Sequence, residues 1–257
     1  MKKHIIDFKV VENLPIHRLY SLLKLTPADG SAIPPSVPGQ FVQVACPDSP
    51  TTFLRRPISI NFIDKDKNQL WLLIRKAGDG TESLCASVEG QILNMIFPLG
   101  GGFSFPEDRS AKILLVGGGV GIAPMAYFGS ELKSRGYAPE FLIGARSEGD
   151  LLELDFLRSI GEVHVSTDNG SAGHHGLAPA NPAMFRQWDY VYCCGPKPMM
   201  VAVANVARER GIQCEVSLEN MMACGLGACL CCVEKTVKGN VCVCTEGPVF
   251  NIKELTW

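Results

Sequence analysis

Hydrophobic and polar positions change rhythm twice along this 257-residue chain. Up to about residue 107, apolar residues fall in short runs broken by Pro, Gly, Asp and Asn. An opening strand begins near Ile5, and further runs lie at 18–25, 40–44, 58–63, 70–76 and 91–97. Strands at this spacing predict a closed antiparallel barrel. Asp64-Lys65-Asp66-Lys67-Asn68 reads as a polar hairpin tip, and Ile33-Pro34-Pro35-Ser36-Val37-Pro38 as a surface connection. After Asp108 the rhythm becomes strand then helix. Strands are expected at 112–116, 140–144, 162–167 and 190–194, with helices running to about 135 and over 150–160 and 197–210. That alternation predicts a parallel sheet covered by helices. The last stretch follows neither rhythm and is dense in cysteine. The expected division is therefore a barrel at 1–107, an α/β domain at 108–212 and a cysteine-rich segment at 213–257.

Composition narrows the function classes. The formal net charge is −2 and no Lys/Arg block stands out, so nothing provides the electrostatic footprint of a nucleic-acid or anionic-lipid binder. Asp7 and Lys9 interrupt the N-terminal apolar stretch before a signal core can form. The most apolar run, 113–125, contains four glycines and is too short to span a bilayer. Eleven cysteines, clustered and without a secretory signal, favour metal chemistry in a reducing compartment, with the cytoplasm as the expected location.

Six of those cysteines lie in Cys224-Gly225-Leu226-Gly227-Ala228-Cys229-Leu230-Cys231-Cys232 and Val241-Cys242-Val243-Cys244. Cys224, Cys229 and Cys232 stand in C-x4-C-x2-C, the spacing with which plant-type loops begin to hold a 2Fe-2S cluster. Spacing alone leaves Cys242 and Cys244 both open as the fourth ligand. The competing reading is structural zinc, for which Cys229, Cys232, Cys242 and Cys244 would supply four sulfurs.

Two barrel stretches carry candidate phosphate chemistry. Arg55-Arg56-Pro57-Ile58-Ser59 places a guanidinium and a hydroxyl at a strand start, and a guanidinium can engage two phosphate oxygens at once. Gly78-Asp79-Gly80-Thr81-Glu82-Ser83-Leu84 runs a glycine turn into a short helix expected to start near Thr81, whose free amides attract phosphate. Each alone also fits a solvated pair or a capped turn; together they form a clamp for a cofactor pyrophosphate. In the α/β part, Gly117-Gly118-Gly119-Val120-Gly121 links a buried strand to a Pro-started helix, and Cys194-Gly195-Pro196 repeats that logic after another strand. The standard dinucleotide fingerprint is not met. A third glycine is missing, and Gly144-Ala145-Arg146-Ser147 stands where an acidic residue would close the next strand.

With these motifs in order, the chain resembles the ferredoxin–NADP reductase superfamily and, within it, the electron-transfer subunits of the type B dihydroorotate dehydrogenases. The likeness spans the length, from Arg56-Pro57-Ile58-Ser59 through Gly117 and Cys194-Gly195-Pro196 to Glu246-Gly247-Pro248. It implies FAD on the barrel, with Arg56 at the pyrophosphate, Pro57 and Ile58 beside the ring, Ser59 near its redox nitrogen, and backbone of Leu73, Ile74, Arg75, Gly80 and Thr81 completing the pocket. It implies NAD at Gly117, Gly118, Gly119, Gly121, Cys194, Gly195 and Pro196. It selects Cys244, before the Gly-Pro turn, as the fourth cluster ligand beside Cys224, Cys229 and Cys232. It also implies a partner subunit containing FMN that oxidises dihydroorotate for pyrimidine synthesis, in an assembly of two copies of each chain. No orotate chemistry, and no catalytic residue for it, is expected on this chain. Ile58 departs from the superfamily, many of whose members place an aromatic ring there. The preference for NAD over NADP rests on the resemblance, since Arg146 suits a 2′-phosphate. A subunit of an NAD(P)H-linked ferredoxin or sulfide reductase is the alternative within the same fold.

Overall fold

The computed structural model describes residues 2–47 and 49–257. The barrel is built from β1 (His4–His17), β2 (Tyr20–Pro27), β3 (Phe41–Val44), β4 (Arg56–Ser59), β5 (Phe62–Asp64) and β6 (Gln69–Arg75), then α1 (Asp79–Cys85) and β7 (Ile92–Leu99). The strands pair antiparallel in the order β4-β3-β7-β1-β2-β6-β5. β4 and β5 are halves of one bent run. The Ile60 amide donates to Gln40 O (3.0 Å) and the Asn61 amide to Trp71 O (3.0 Å), so the run leaves β3 and joins β6 at the bend. One strand shared between the two edges closes the barrel, which is why 58–63 reads as a single run in sequence. Alternation is carried through: Ile58, Ile60, Leu72 and Ile74 are buried inward. α1 begins at Asp79, two residues ahead of the expected start.

The second sheet comprises β8 (Ile113–Gly118), β9 (Pro139–Ala145), β10 (Val163–Thr167), β11 (His174–His175), β12 (Tyr190–Cys194) and β13 (Gln213–Ser217). Its helices are α2 (Ile122–Ser134), α3 (Leu154–Ile160) and α4 (Lys197–Arg210). The order is β11-β10-β9-β8-β12-β13, parallel throughout, with one antiparallel strand added at the β13 edge by the C-terminus. The chain winds one way through β8, β9 and β10 and the other way through β12 and β13. The reversal lies between β8 and β12, and open sheets bind ligands at the strand ends of such a switch. The helix expected over 150–160 is shorter, because a 3-10 turn at Glu148–Asp150 and a left-handed Glu153 (φ 52°) hold the chain out of helix until Leu154.

The C-terminal part contains the hairpin β14 (Val233–Thr236) and β15 (Gly239–Cys242), the one-turn α5 (Val243–Glu246) and β16 (Val249–Asn251). β16 pairs with β13, so the second sheet continues past residue 212 on both sides of the cysteine segment. One buried cluster joins Phe41 and Leu99 of the barrel, Val116 and Val191 of the second sheet, and Cys232, Val243, Cys244 and Phe250 of the C-terminal part. Among the described residues, no helix is long and apolar enough to cross a membrane.

Candidate cofactor cavity and metal centre

A cavity of about 290 Å³ opens where the three parts meet. The barrel contributes Phe41, Pro57, Ile58, Ser59, Leu73, Arg75 and Thr81; the glycine turn contributes Val120; Ser217, Leu218, Glu219, Asn220, Met222 and Pro248 bracket the cysteine segment. Strand register explains the barrel wall. Phe41 lies opposite Ser59 and Gln43 opposite Pro57, so side chains two apart on β3 and β4 share one face. Along β6, Leu73 and Arg75 reach the cavity while Ile74 turns into the barrel interior. Ile58 is the residue at the position noted for its missing ring, and the aromatic in this wall is Phe41.

The two phosphate candidates come together. A Cβ placed on Gly80 would sit 2.9 Å from Arg56 Nε, so the guanidinium lies across the first turn of α1, where only a glycine leaves room. Arg56 Nη1 also donates to Leu54 O (3.0 Å). Thr81 Oγ1 donates to Gly78 O (2.9 Å) and accepts from the Ala77 amide (2.8 Å), which fixes the glycine turn. Arg55, adjacent in sequence, is committed elsewhere: its Nη1 donates to Asn94 O (2.7 Å) and to Gln43 O (3.3 Å) inside the barrel rim.

At the switch point, the glycine turn after β8 lies directly on the turn after β12. A Cβ on Gly121 would stand 2.3 Å from the Cys194 carbonyl oxygen, and one on Gly195 (φ 153°) 3.2 Å from Gly118 Cα. Gly117 and Gly118 are likewise closed off, by Ile122 and by Met199 with Pro196. Gly119 (φ 55°) is the open member, with nothing nearer than the Tyr20 hydroxyl at 3.5 Å. The glycines thus serve loop-on-loop packing first, and the backbone at Gly119 and Val120 faces free space.

Glu219 was not singled out by the sequence, because no periodicity or motif marks the lead-in to the cysteines. It lines the cavity, with Oε1 3.9 Å from Cys194 Sγ. Burial raises its carboxyl above the usual range, opposed by the Arg75 guanidinium and by Cys194. Burial also holds the Cys193 and Cys194 thiols well above ordinary values, so neither is a ready thiolate. Asn220 and Met222, in the same lead-in, line the same wall, as does Val120 of the glycine turn.

Two residues beyond Met222 the cysteine loop begins. Gly225 (φ 68°) and Gly227 (φ 84°) take left-handed conformations that turn it tightly. Backbone amides converge on sulfur: Leu226 N–H on Cys224 Sγ (3.3 Å), Gly227 N–H on Cys244 Sγ (3.2 Å) and Cys244 N–H on Cys232 Sγ (3.4 Å). Against a desolvation that acts upward, the amides of Leu226, Cys229 and Ala228 and the Cys229 side chain bring the Cys224 thiol down to about 6. Burial, followed by its bond to the Cys232 side chain, pushes Cys244 up to about 12. Cys229 is thus a neighbour of Cys224, and Cys232 neighbours both Cys244 and Cys242.

A 2Fe-2S cluster takes two thiolates on each of two irons and so needs no compact set of four sulfurs. A single tetrahedral zinc with sulfurs at about 2.3 Å requires all four within about 3.8 Å of one another. Among the described residues, no three cysteine sulfurs form a group within 4.8 Å. Gly227 separates the two candidates for the fourth position: its N–H points at Cys244 Sγ, while its carbonyl oxygen faces Cys242 Sγ at 4.0 Å. A thiolate needs donors, and Cys242 meets an acceptor. Cys231 is exposed.

Comparison with known proteins agrees with this geometry. The family model described as the iron-sulfur cluster binding domain of dihydroorotate dehydrogenase B matches residues 219–256. The electron transfer subunit of dihydroorotate dehydrogenase B (NAD(+)) from Shouchella clausii is 38% identical over 226 residues, covering 86% of each chain. The subunit of the same name from Listeria monocytogenes is 36% identical over 256 residues, covering 97% of this chain and 98% of its own. Among solved structures, an NADH-dependent reduced ferredoxin-NADP oxidoreductase superposes with a TM-score of 0.85 at 28% identity, over 97% of this chain and 90% of that one. Phthalate dioxygenase reductase, at 19% identity and a TM-score of 0.61 over 93% and 94% of the two chains, shares the fold. With more than a third of its residues matched across most of its length, the chain belongs to the family of dihydroorotate dehydrogenase B electron transfer subunits.

Proposed function

We propose that this chain passes electrons from an FMN-containing catalytic subunit, which oxidises dihydroorotate to orotate, through a 2Fe-2S cluster and FAD to NAD+, as a step of pyrimidine synthesis in the cytoplasm. The observation that carries the reading is the shared cavity wall: β4, β6, the glycine turn and both ends of the cysteine segment meet there. When bound, the cluster supplies one-electron transfer, and the flavin combines single electrons into the two-electron hydride that NAD carries.

This chain's residues hold and orient those groups. We assign Arg56 and the α1 amides at Gly80 and Thr81 to a pyrophosphate, a reading supported by the guanidinium lying against Gly80. We assign Pro57, Ile58, Ser59 and the backbone of Leu73, Ile74 and Arg75 to the ring pocket, a reading supported by the cavity wall that Pro57, Ile58, Ser59, Leu73 and Arg75 form. Gly119, with Gly117, Gly118, Gly121, Cys194, Gly195 and Pro196 behind it, offers backbone to the nicotinamide nucleotide. Cys224 and Cys229 would hold one iron, Cys232 and Cys244 the other. Glu219, beside Cys194, sets at the cavity wall a carboxyl whose titration is raised above the usual range by desolvation. A two-plus-two assembly with the catalytic subunit belongs to the same reading.

The likeness to a ferredoxin-NADP oxidoreductase supports a second reading, a subunit of a ferredoxin or sulfide reductase. Co-purification separates them: a partner carrying FMN that reduces NAD+ with dihydroorotate supports the first, and an iron–sulfur-rich partner without that activity supports the second. Protein prepared anaerobically is expected to be red-brown, with acid-labile sulfide and a rhombic EPR signal on reduction. Zinc without labile sulfide would overturn both.

A further inference from the structure

Gln43, on β3, is completely buried, and neither atom of its carboxamide has a hydrogen-bond partner in the protein. Leaving such a group unpaired forfeits its hydration with nothing in return. A position that served packing alone would favour an apolar residue, so a polar group from outside the chain is expected to meet this amide.

The surroundings identify that group. A Cβ on Gly225 would lie 2.9 Å from Gln43 Nε2 and 2.7 Å from its Cγ, with Leu99 as the next neighbour at 3.2 Å. Gly225 directly follows Cys224, and its left-handed turn (φ 68°) brings the loop down onto the carboxamide. On the barrel side, Gln43 pairs with Pro57 while Phe41 pairs with Ser59, so Gln43 shares the sheet face that walls the cavity. The carboxamide therefore stands between the cavity wall and the cysteine loop. The nearby cation does not use it: Arg55 is bound to the backbone oxygens of Gln43 and Asn94 and to the Asn94 side chain.

We propose that Gln43 is a potential-setting residue whose Nε2–H donates to a sulfur of the cluster held by the Cys224 loop. The inference rests on the electron-transfer reading above. A neutral N–H donated to sulfur favours the reduced cluster, which carries one more negative charge, and so raises its reduction potential. Gln43 carries no titratable group, so its contribution does not vary with pH.

The test compares the holoprotein with a Gln43→Leu variant, which keeps much of the volume and removes donor and acceptor together. EPR-monitored redox titration should show the variant retaining iron and labile sulfide, with a midpoint potential lower by the equivalent of about tenfold in the reduction equilibrium, about 59 mV for one electron. Pulsed EPR on reduced wild-type protein labelled with 15N in its glutamine side chains should show a nitrogen coupling that the variant lacks. Absence of any such coupling in the wild type overturns the proposal even if the variant loses its cluster. A normal EPR signal with an unchanged midpoint and no side-chain coupling overturns the proposal alone. Absence of labile sulfide from the wild type overturns it together with the functional reading beneath it.

Discussion

Glu153 joins the two sheets at a single side chain. Its Oε1 accepts from Asn61 Nδ2 (3.1 Å) at the bend between β4 and β5, its Oε2 is buried without a partner, and its backbone is left-handed. Burial raises the carboxyl to about 7, with Asn61 opposing. A carboxyl raised in the folded state contributes stability that is complete below the unfolded value near 4.5 and is lost as pH rises through about 7. Urea unfolding should lose on the order of 2 kcal/mol between pH 5 and 8, a figure discounted for partial exposure. Glu153→Gln should flatten that slope and be the more stable protein at pH 8; an unchanged slope would mean the carboxylate is hydrated. The glycine turn offers a second contrast. Gly121→Ala drives a methyl to 2.3 Å from a backbone oxygen that has no rotamer to escape into, and should cost about 2 kcal/mol or more. Gly119→Ala meets open space and should cost only the left-handed penalty, about 1 kcal/mol.

At the scale of elements, the strand that closes the barrel and the loop that carries the cysteines each present two adjacent candidates for one task. Arg56→Ala should weaken FAD binding at least tenfold, about 1.4 kcal/mol, in equilibrium dialysis. Arg55→Ala should instead destabilise the barrel with little change in flavin affinity, because its guanidinium is tied to Asn94. Cys244→Ser and Cys224→Ser should abolish cluster retention, whereas Cys242→Ser should leave iron and labile sulfide in place; the reverse pattern would exchange Cys242 and Cys244. These pairs show what was legible in the chain. Strand runs, the glycine turn and the C-x4-C-x2-C spacing are local patterns, so the elements and the kind of site could be read directly. Division of labour between Arg55 and Arg56 depends on Asn94 across the sheet, and between Cys242 and Cys244 on the two ends of one peptide at Gly227. Glu219 and Gln43 acquire their settings only when distant segments are packed, and no spacing records that. The foreshortened α3 is different again, since a left-handed glutamate before it overrides a sequence that otherwise favours helix.

For the whole molecule, a core shared by all three parts is expected to outlast the loss of the cluster, since most of its members lie outside the cysteine loop. Cys224→Ser should remove the cluster while FAD stays bound and the urea midpoint moves little. Truncation at residue 218 should do far more, because it strips Phe250, Ile252 and Leu255 from the buried interior and uncovers the β13 edge. Retention of flavin by the truncated chain would show that the barrel holds it unaided. The pairing of Ser217 with Val249, continued by the Leu218 amide on Pro248 O at 2.9 Å, has a further meaning. Those two strands would form an ordinary hairpin if a short turn joined them. The metal-bearing segment is thus an excursion from a hairpin, leaving and re-entering at neighbouring points, and the strand pairing of the sheet does not run through it. Such a segment can be lengthened or shortened without rethreading the sheet, although Cys232, Val243 and Cys244 tie it to the shared core.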